Sequence, residues 1–174
     1  ASAITLGSAL LLDHTAREEV PEGRSPFTQR LSGVGNTLGL ARYDVPVVLA
    51  ALVAGHLTRN RRFADATTHI ALSYVTADIT ESVLKPVIRR ARPYDPRSHD
   101  SFPSAHLAHI TSIAAAAAEE AHSPLVTALA GTTVSLVGWQ RMYARQHWAS
   151  DVAAGAIIGV AFSRLTAHWL RGVL

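Results

Sequence analysis

The chain has 174 residues and no cysteine, which excludes disulfide staples, thiolate nucleophiles and cysteine-held metal centres. Aromatics are scarce, with three Trp, four Tyr and four Phe. That is too few, and the basic residues too clustered, for a nucleic-acid reader built on stacking along a basic stripe. Charge is scarce too, at 17% against 48% hydrophobic residues, so the chain is packed rather than disordered. Long apolar runs are also missing. The longest stretch without Asp, Glu, Lys, Arg or His, Ser123 to Gln140, has 18 residues and is rich in Ala, Gly, Thr and Ser. Val45 to Thr58 and Val152 to Ser163 are shorter, against the ~20 apolar residues a membrane span needs. The expectation is therefore a soluble protein, periplasmic or secreted, with membrane association as the alternative. The opening Ala1-Ser2-Ala3, without an initiator Met, fits a removed signal peptide or a trimmed end.

Alanine runs such as Ala114 to Ala118 and the lack of strand-like alternation point to an all-α fold. The expected architecture is a single domain over residues 1–174, one bundle of five or six main helices. Ile4 to Val20 reads as an amphipathic helix ended by Pro21-Glu22-Gly23, and Phe27 to Leu38 as a short one. Asp44-Val45-Pro46 is a start signal for a helix reaching about Thr58. Arg61 to Lys85 is a long helical pattern that carries Phe63, Ile70, Tyr74, Ala77 and Leu84, with a kink or restart at Pro86. A polar loop follows from Arg92 to Ser101. Ser104 is a natural N-cap for a helix to about His122, and Ser123-Pro124 starts another towards Met142. The last helix spans about His147 to Leu170, where Gly155 and Gly159 permit close packing.

Trp139 to Asp151 carries the chemistry. His147 and Asp151 are four apart and would share one face of a helix. The carboxylate can fix the tautomer of the imidazole and leave its other nitrogen free to attack. Arg141 adds a fork of donors suited to an oxyanion. The net charge of +3 is concentrated. Arg59, Arg61 and Arg62 read as a solvated turn, whereas Lys85, Arg89, Arg90, Arg92 and Arg97 gather beside the polar loop.

Three clusters then fall in order: Lys85 to Arg92-Pro93, with the two cations seven apart; Pro103-Ser104-Ala105-His106; and Arg141, His147 and Asp151. They resemble the three-part signature of the type 2 phosphatidic acid phosphatase superfamily, which joins lipid phosphate phosphatases, bacterial acid phosphatases, glucose-6-phosphatase and the vanadium haloperoxidases. The resemblance implies that fold, with a catalytic set of His147, His106 and Asp151 and a phosphate-binding set of Lys85, Arg92, Ser104, Ala105 and Arg141. It further implies attack by His147 to form a phosphohistidine, Asp151 as its orienter, and His106 as proton donor to the leaving oxygen. No metal or cofactor is expected. Ala105 departs from the usual Gly and Gln140 from the usual Ser.

The physical chemistry agrees with that reading. Phosphoryl transfer spreads negative charge over the equatorial oxygens, so three cations and the donors of a helix N-terminus suit it. A neutral His147 and a protonated His106 predict a bell-shaped pH–rate profile. The expected partner is a phosphorylated small molecule or lipid, phosphomonoester or diphosphate, and not nucleic acid. The alternatives are a membrane-associated lipid phosphatase with the same site, a vanadate-dependent haloperoxidase and a non-catalytic anion-binding module. His14, His56, His69, His109, His122 and His168 lack a partner pattern and read as packing or surface residues. His99, Tyr143, Arg145 and Trp148 are candidates to line the site, and Arg89, Arg90 and Arg97 to draw anions in.

Overall fold

Ser25 opens the first helix: its Oγ accepts the Thr28 N–H at 3.1 Å, and Pro26 supplies a helical φ at the first position. A computed structural model describes Asp13 and residues 25–173. Apart from Asp13, the helix expected over Ile4 to Val20 lies outside the described residues. The described helices are α1 (Pro26–Thr37), α2 (Ala41–Leu57), α3 (Arg61–Ile88), α4 (Ala105–Ala121), α5 (Pro124–Tyr143) and α6 (Ala149–Val173). The all-α fold is as expected.

Three boundaries differ from expectation. Helix α2 begins at Ala41, not Asp44, because Gly39 at φ +80° turns the chain and Leu40 accepts the Asp44 N–H at 3.0 Å. Pro46 therefore sits inside the helix. Pro86 does not end α3. It comes so late that only one helical bond is forfeited, and the chain leaves the helix at Arg89, in the left-handed region. Helix α6 starts at Ala149, which leaves His147 in the preceding loop rather than on the helix with Asp151.

Helix α4 is the axis, packed against α3, α5 and α6, while α1 rests on α5 and α2 on α3. Gly155 and Gly159 make this possible: a Cβ at Gly159 would meet Ser112 N and Thr111 Cβ at 2.7 Å, and one at Gly155 would meet the Ser104 carbonyl. Small apolar clusters fill two places, Val48–Ala71–Tyr74 and Leu107–Ile110–Val137.

The rest of the burial runs opposite to a soluble helix. The inward face of α3 carries Thr67, His69, Ser73 and Glu81, all buried, while Val75, Ile79, Val83 and Val87, four apart, face outward. Val47, Leu49, Val53 and Leu57 on α2 are exposed as well, as are Leu125 and Leu129 on α5 and Ile157, Leu165 and Trp169 on α6. Leu125 and Leu129 thus lie outside the core, and of the expected apolar face of α3 Phe63 is exposed.

Candidate active site

Every motif residue lies where helices begin or end at one end of the bundle. Helix α3 delivers Lys85 near its C-terminus, α5 delivers Arg141, and α4 and α6 begin with Ser104 to His106 and with Asp151. The loop over residues 89–104 closes this end.

His147 is buried, and its Nδ1 lies 2.7 Å from the Ser101 carbonyl. A carbonyl only accepts, so Nδ1 carries the hydrogen and Nε2 of the neutral ring keeps its lone pair. No described residue bonds to Nε2. Asp151, expected to orient the ring directly, has its Oδ2 3.8 Å from Nδ1, within ion-pair reach but longer than a hydrogen bond. The carboxylate instead accepts Ser101 Oγ–H at 2.5 Å, the Trp148 N–H at 2.9 Å and Arg90 Nη1 at 2.6 Å. The Trp148 contact is the return half of a capping box, with Asp151 at the third position of α6. Asp151 therefore fixes Ser101, and Ser101 fixes His147. Burial, joined by the Arg92 charge, holds His147 below its ordinary value of 6.5, against the opposing pull of Asp151 and the Ser101 carbonyl.

Arg141 is 5% exposed. Its Nε donates to Gln140 Oε1 at 2.6 Å, Nη2 to Asn36 Oδ1, and Nη1 to His106 Nε2 at 3.1 Å. All three acceptors are neutral, and among the described residues no carboxylate lies within salt-bridge reach. A buried cation without a counter-charge is costly until an anion arrives. Gln140, in place of the usual Ser, is thus the residue that aims Arg141. A guanidinium only donates, so Nε2 of His106 is here an acceptor and not the protonated nitrogen expected from the sequence.

Arg92 is differently placed. Nε and Nη2 fork onto Asp100 at 2.9 and 2.7 Å, and Nη1 reaches Gln146 Oε1 at 2.6 Å. The fork onto Arg92 holds the Asp100 carboxyl below its ordinary range. Lys85 Nζ contacts the Pro103 carbonyl at 3.1 Å and Glu81 Oε2 at 3.1 Å. Ser104 occupies the N-cap of α4 but makes no capping bond; its Oγ is fully buried and unpartnered. Among the described residues, the first-turn N–H groups of α4, with Ala105 at their head, have no side-chain cap. A Cβ at Gly39 would lie 2.8 Å from the His106 carbonyl, so that glycine admits α4 close to the α1–α2 turn.

Of the lining candidates, Trp148 Nε1 donates to the Ala91 carbonyl at 2.9 Å, and Tyr143 stacks on Trp139 at 4.8 Å. Arg145 is in the left-handed region, and His99 and Arg97 are exposed. Arg90 does not face outward to collect anions: it bridges Asp13 and Asp151. His69 and His109 have partners that sequence spacing could not show. His69 meets Glu120 at 2.7 Å and the Ser163 carbonyl at 2.9 Å, and His109 meets Asp78 at 2.8 Å. Asp78, Glu81 and His109 place donor atoms within 4.8 Å of one another, the spacing of a metal set. His109 and Asp78 already bond to each other, however, and the Lys85 ammonium faces Glu81.

A family model described as the PAP2 superfamily matches residues 66–173. The fold is similar to the crystal structure of a transmembrane PAP2-type phosphatidylglycerolphosphate phosphatase from Bacillus subtilis, at 22% identity and a TM-score of 0.82. That match covers 99% of this chain and 91% of the other. The structure of Aquifex aeolicus LpxE is similar at 20% identity and a TM-score of 0.73, over 91% of this chain and 94% of that one. No curated protein sequence matches.

Proposed function

This chain belongs to the PAP2 superfamily, and from that membership and the pocket's geometry we propose that it is a membrane-embedded phosphatase of lipid-borne phosphomonoesters, working through a phosphohistidine on His147. The observation that carries the chemistry is the contrast within the pocket. Among the described residues, His147 presents an Nε2 without a partner on a ring tied down at Nδ1, beside a buried Arg141 that has only neutral acceptors.

The steps balance without further reactants than water. Nε2 of His147 attacks phosphorus, the Nε2–P bond forms and the bond from phosphorus to the ester oxygen breaks. Arg141, Arg92, Lys85 and the α4 N-terminus hold the equatorial oxygens. As those oxygens take up the Arg141 donors, His106 Nε2 is released, takes a proton from solvent and passes it to the leaving oxygen. His106 then takes a proton from water, water oxygen attacks phosphorus, and the Nε2–P bond breaks to give inorganic phosphate.

The inverted burial supports the membrane setting. Burying each exposed Val or Ile of the α3 stripe in hydrocarbon is favourable by about 1.5–3 kcal/mol, which water forfeits. Helix α6 is long and apolar enough to cross a bilayer over 24 residues, and α1 with α2, bent by 52°, passes as a second broken span. The site lies in the end loops of these helices, where a lipid headgroup would meet it. One of the two similar structures is that of a transmembrane phosphatase, which supports this reading.

The test is phosphate release with chelator present, from an aryl phosphate and from phosphatidate in mixed micelles, for the natural chain and His147→Ala. The expected result is chelator-resistant release, faster from the lipid and lost in the variant. Equal release from both chains ends this reading. A chain that is monodisperse without detergent and prefers the aryl phosphate moves it to a soluble phosphatase.

A further inference from the structure

The Arg90 guanidinium is held between two carboxylates that are far apart in the chain. Nη1 donates to Asp151 Oδ1 at 2.6 Å and to Ser150 Oγ at 2.5 Å, while Nη2 donates to Asp13 Oδ2. Asp13 is 5% exposed. Its Oδ1 accepts the Ser150 N–H at 2.9 Å, and its Oδ2 accepts Ser150 Oγ–H at 2.9 Å. Ser150 is the second residue of α6, so its N–H is one of the four that no helical carbonyl serves. Asp13 thus caps α6 from outside. Arg90 also lies over the Trp148 ring, 5.3 Å from its centroid. Asp13 falls outside residues 66–173, the part the family model matches, and none of the three motifs contains it or counts Arg90 as a member.

We propose that Asp13 is a positioning residue: through Arg90 and Ser150 it locks the first turn of α6, so that Asp151 can hold Ser101 and Ser101 can hold the nucleophile. The proposal rests on the reading of His147 as nucleophile. Asp13 touches neither substrate nor reacting atoms. A partly buried guanidinium between two carboxylates gives both a fixed geometry, and Asp151 stays a full acceptor for Ser101 only while Asp13 shares the cation.

The charges make a test that a merely structural role would not pass. Removing the Asp13 charge leaves Arg90 to Asp151 alone and makes the surroundings of His147 more positive. Asp13→Asn should then move the acid limb of kcat/KM to lower pH, by about half a unit. Arg90→Gln removes a positive charge and should move the same limb to higher pH. In the full chain, kcat for Asp13→Asn is expected to fall about tenfold, as for a small misplacement of a catalytic group, with KM little changed. Natural kcat and an unmoved limb in Asp13→Asn, or limbs moving in the same direction in both variants, would overturn the proposal. Should Asp13→Asn not fold, Ser150→Ala removes only the hydroxyl link. A kcat reduced about threefold then supports the clamp, and an unchanged one overturns it. His147→Ala separates the two levels: if it retains turnover the nucleophile reading fails, and if it is inactive while Asp13→Asn is natural only the clamp fails.

Discussion

His147 and His109 are both buried, and each stands near an aspartate, yet they are built for opposite ends. The His109 ring spends Nε2 on Asp78 at 2.8 Å, with Glu81 at 3.9 Å and the Tyr74 ring tilted against it 4.8 Å away. The His147 ring stands 3.8 Å from its carboxylate and takes a backbone carbonyl on Nδ1 instead. The histidine closer to its acid also keeps a nitrogen without a partner among the described residues, Nδ1, but that atom is sealed from solvent inside the helix packing. On the proposed reading, what makes His147 the nucleophile is a tautomer fixed from behind, an open nitrogen in front and an arginine left short of counter-charge. Proximity of His and Asp, by itself, is a packing device.

Substituting both rings breaks this contrast most directly. His147→Asn should cost on the order of 10⁴-fold or more in kcat/KM with little change in thermal stability, because it removes the attacking group. His109→Asn should do the reverse, losing about 1–3 kcal/mol of stability by leaving Asp78 without its partner while retaining most turnover. Phosphate release and thermal unfolding in the same detergent read the two arms. Comparable losses of turnover from both would mean that the two histidines act as one unit.

Arg141 and Arg92 make the second, smaller contrast, one guanidinium among neutral acceptors and the other forked on Asp100. Arg141→Lys keeps the charge but gives up the simultaneous hold on Asn36, Gln140 and His106. A loss of about 10²-fold in kcat/KM is expected, larger than for Arg92→Lys under the same assay. The opposite ranking would place the main phosphate contact at Arg92.

The spacing of Lys85, Arg92, Ser104, His106, Arg141, His147 and Asp151 let the sequence name residues that the fold does bring to one end. It could not give their connections. Ser101 is invisible because its part is played by a carbonyl and by a hydroxyl aimed at a residue 50 positions away. Asn36 and Asp13 meet their arginines across 105 and 77 positions, where no local rule operates. The helical reading of His147 and Asp151 failed for a definite reason: four-residue spacing places two side chains on one face only if the helix includes both. The fold class came from helical periodicity, but periodicity does not say which face is inward. On α3 the inward face mixes Tyr74 and Ala77 with Thr67, His69, Ser73 and Glu81, while Val75, Ile79, Val83 and Val87 point out.

Acidity separates the two halves of the pocket with smaller effects. Burial keeps His147 neutral below 6.5, so the acid limb of kcat/KM should lie under that value. Ser101→Ala unties Asp151 from the loop that fixes the ring, and should lower kcat about tenfold without moving the basic limb. The pH profile of kcat/KM checks both; an acid limb above 6.5 would mean that Asp151 outweighs burial.

Asp100 gives the smallest effect and the opposite kind of pH dependence. Its carboxyl is held below the ordinary 3.8 by Arg92, so the folded chain binds that proton less readily than the unfolded chain does. The pair's contribution to stability is therefore complete above the ordinary carboxylate range, and is lost as pH falls through the depressed value. Asp100 is 51% exposed, and screening limits that contribution to about 1 kcal/mol at most. Asp100→Asn should accordingly lower Tm slightly at pH 7, while the two chains converge once pH has fallen below the depressed carboxyl value. Thermal unfolding across that range decides it. A gap that persists in acid would mean that Asp100 supports the loop through contacts other than its charge, and that Arg92, like Arg141, is held by neutral geometry.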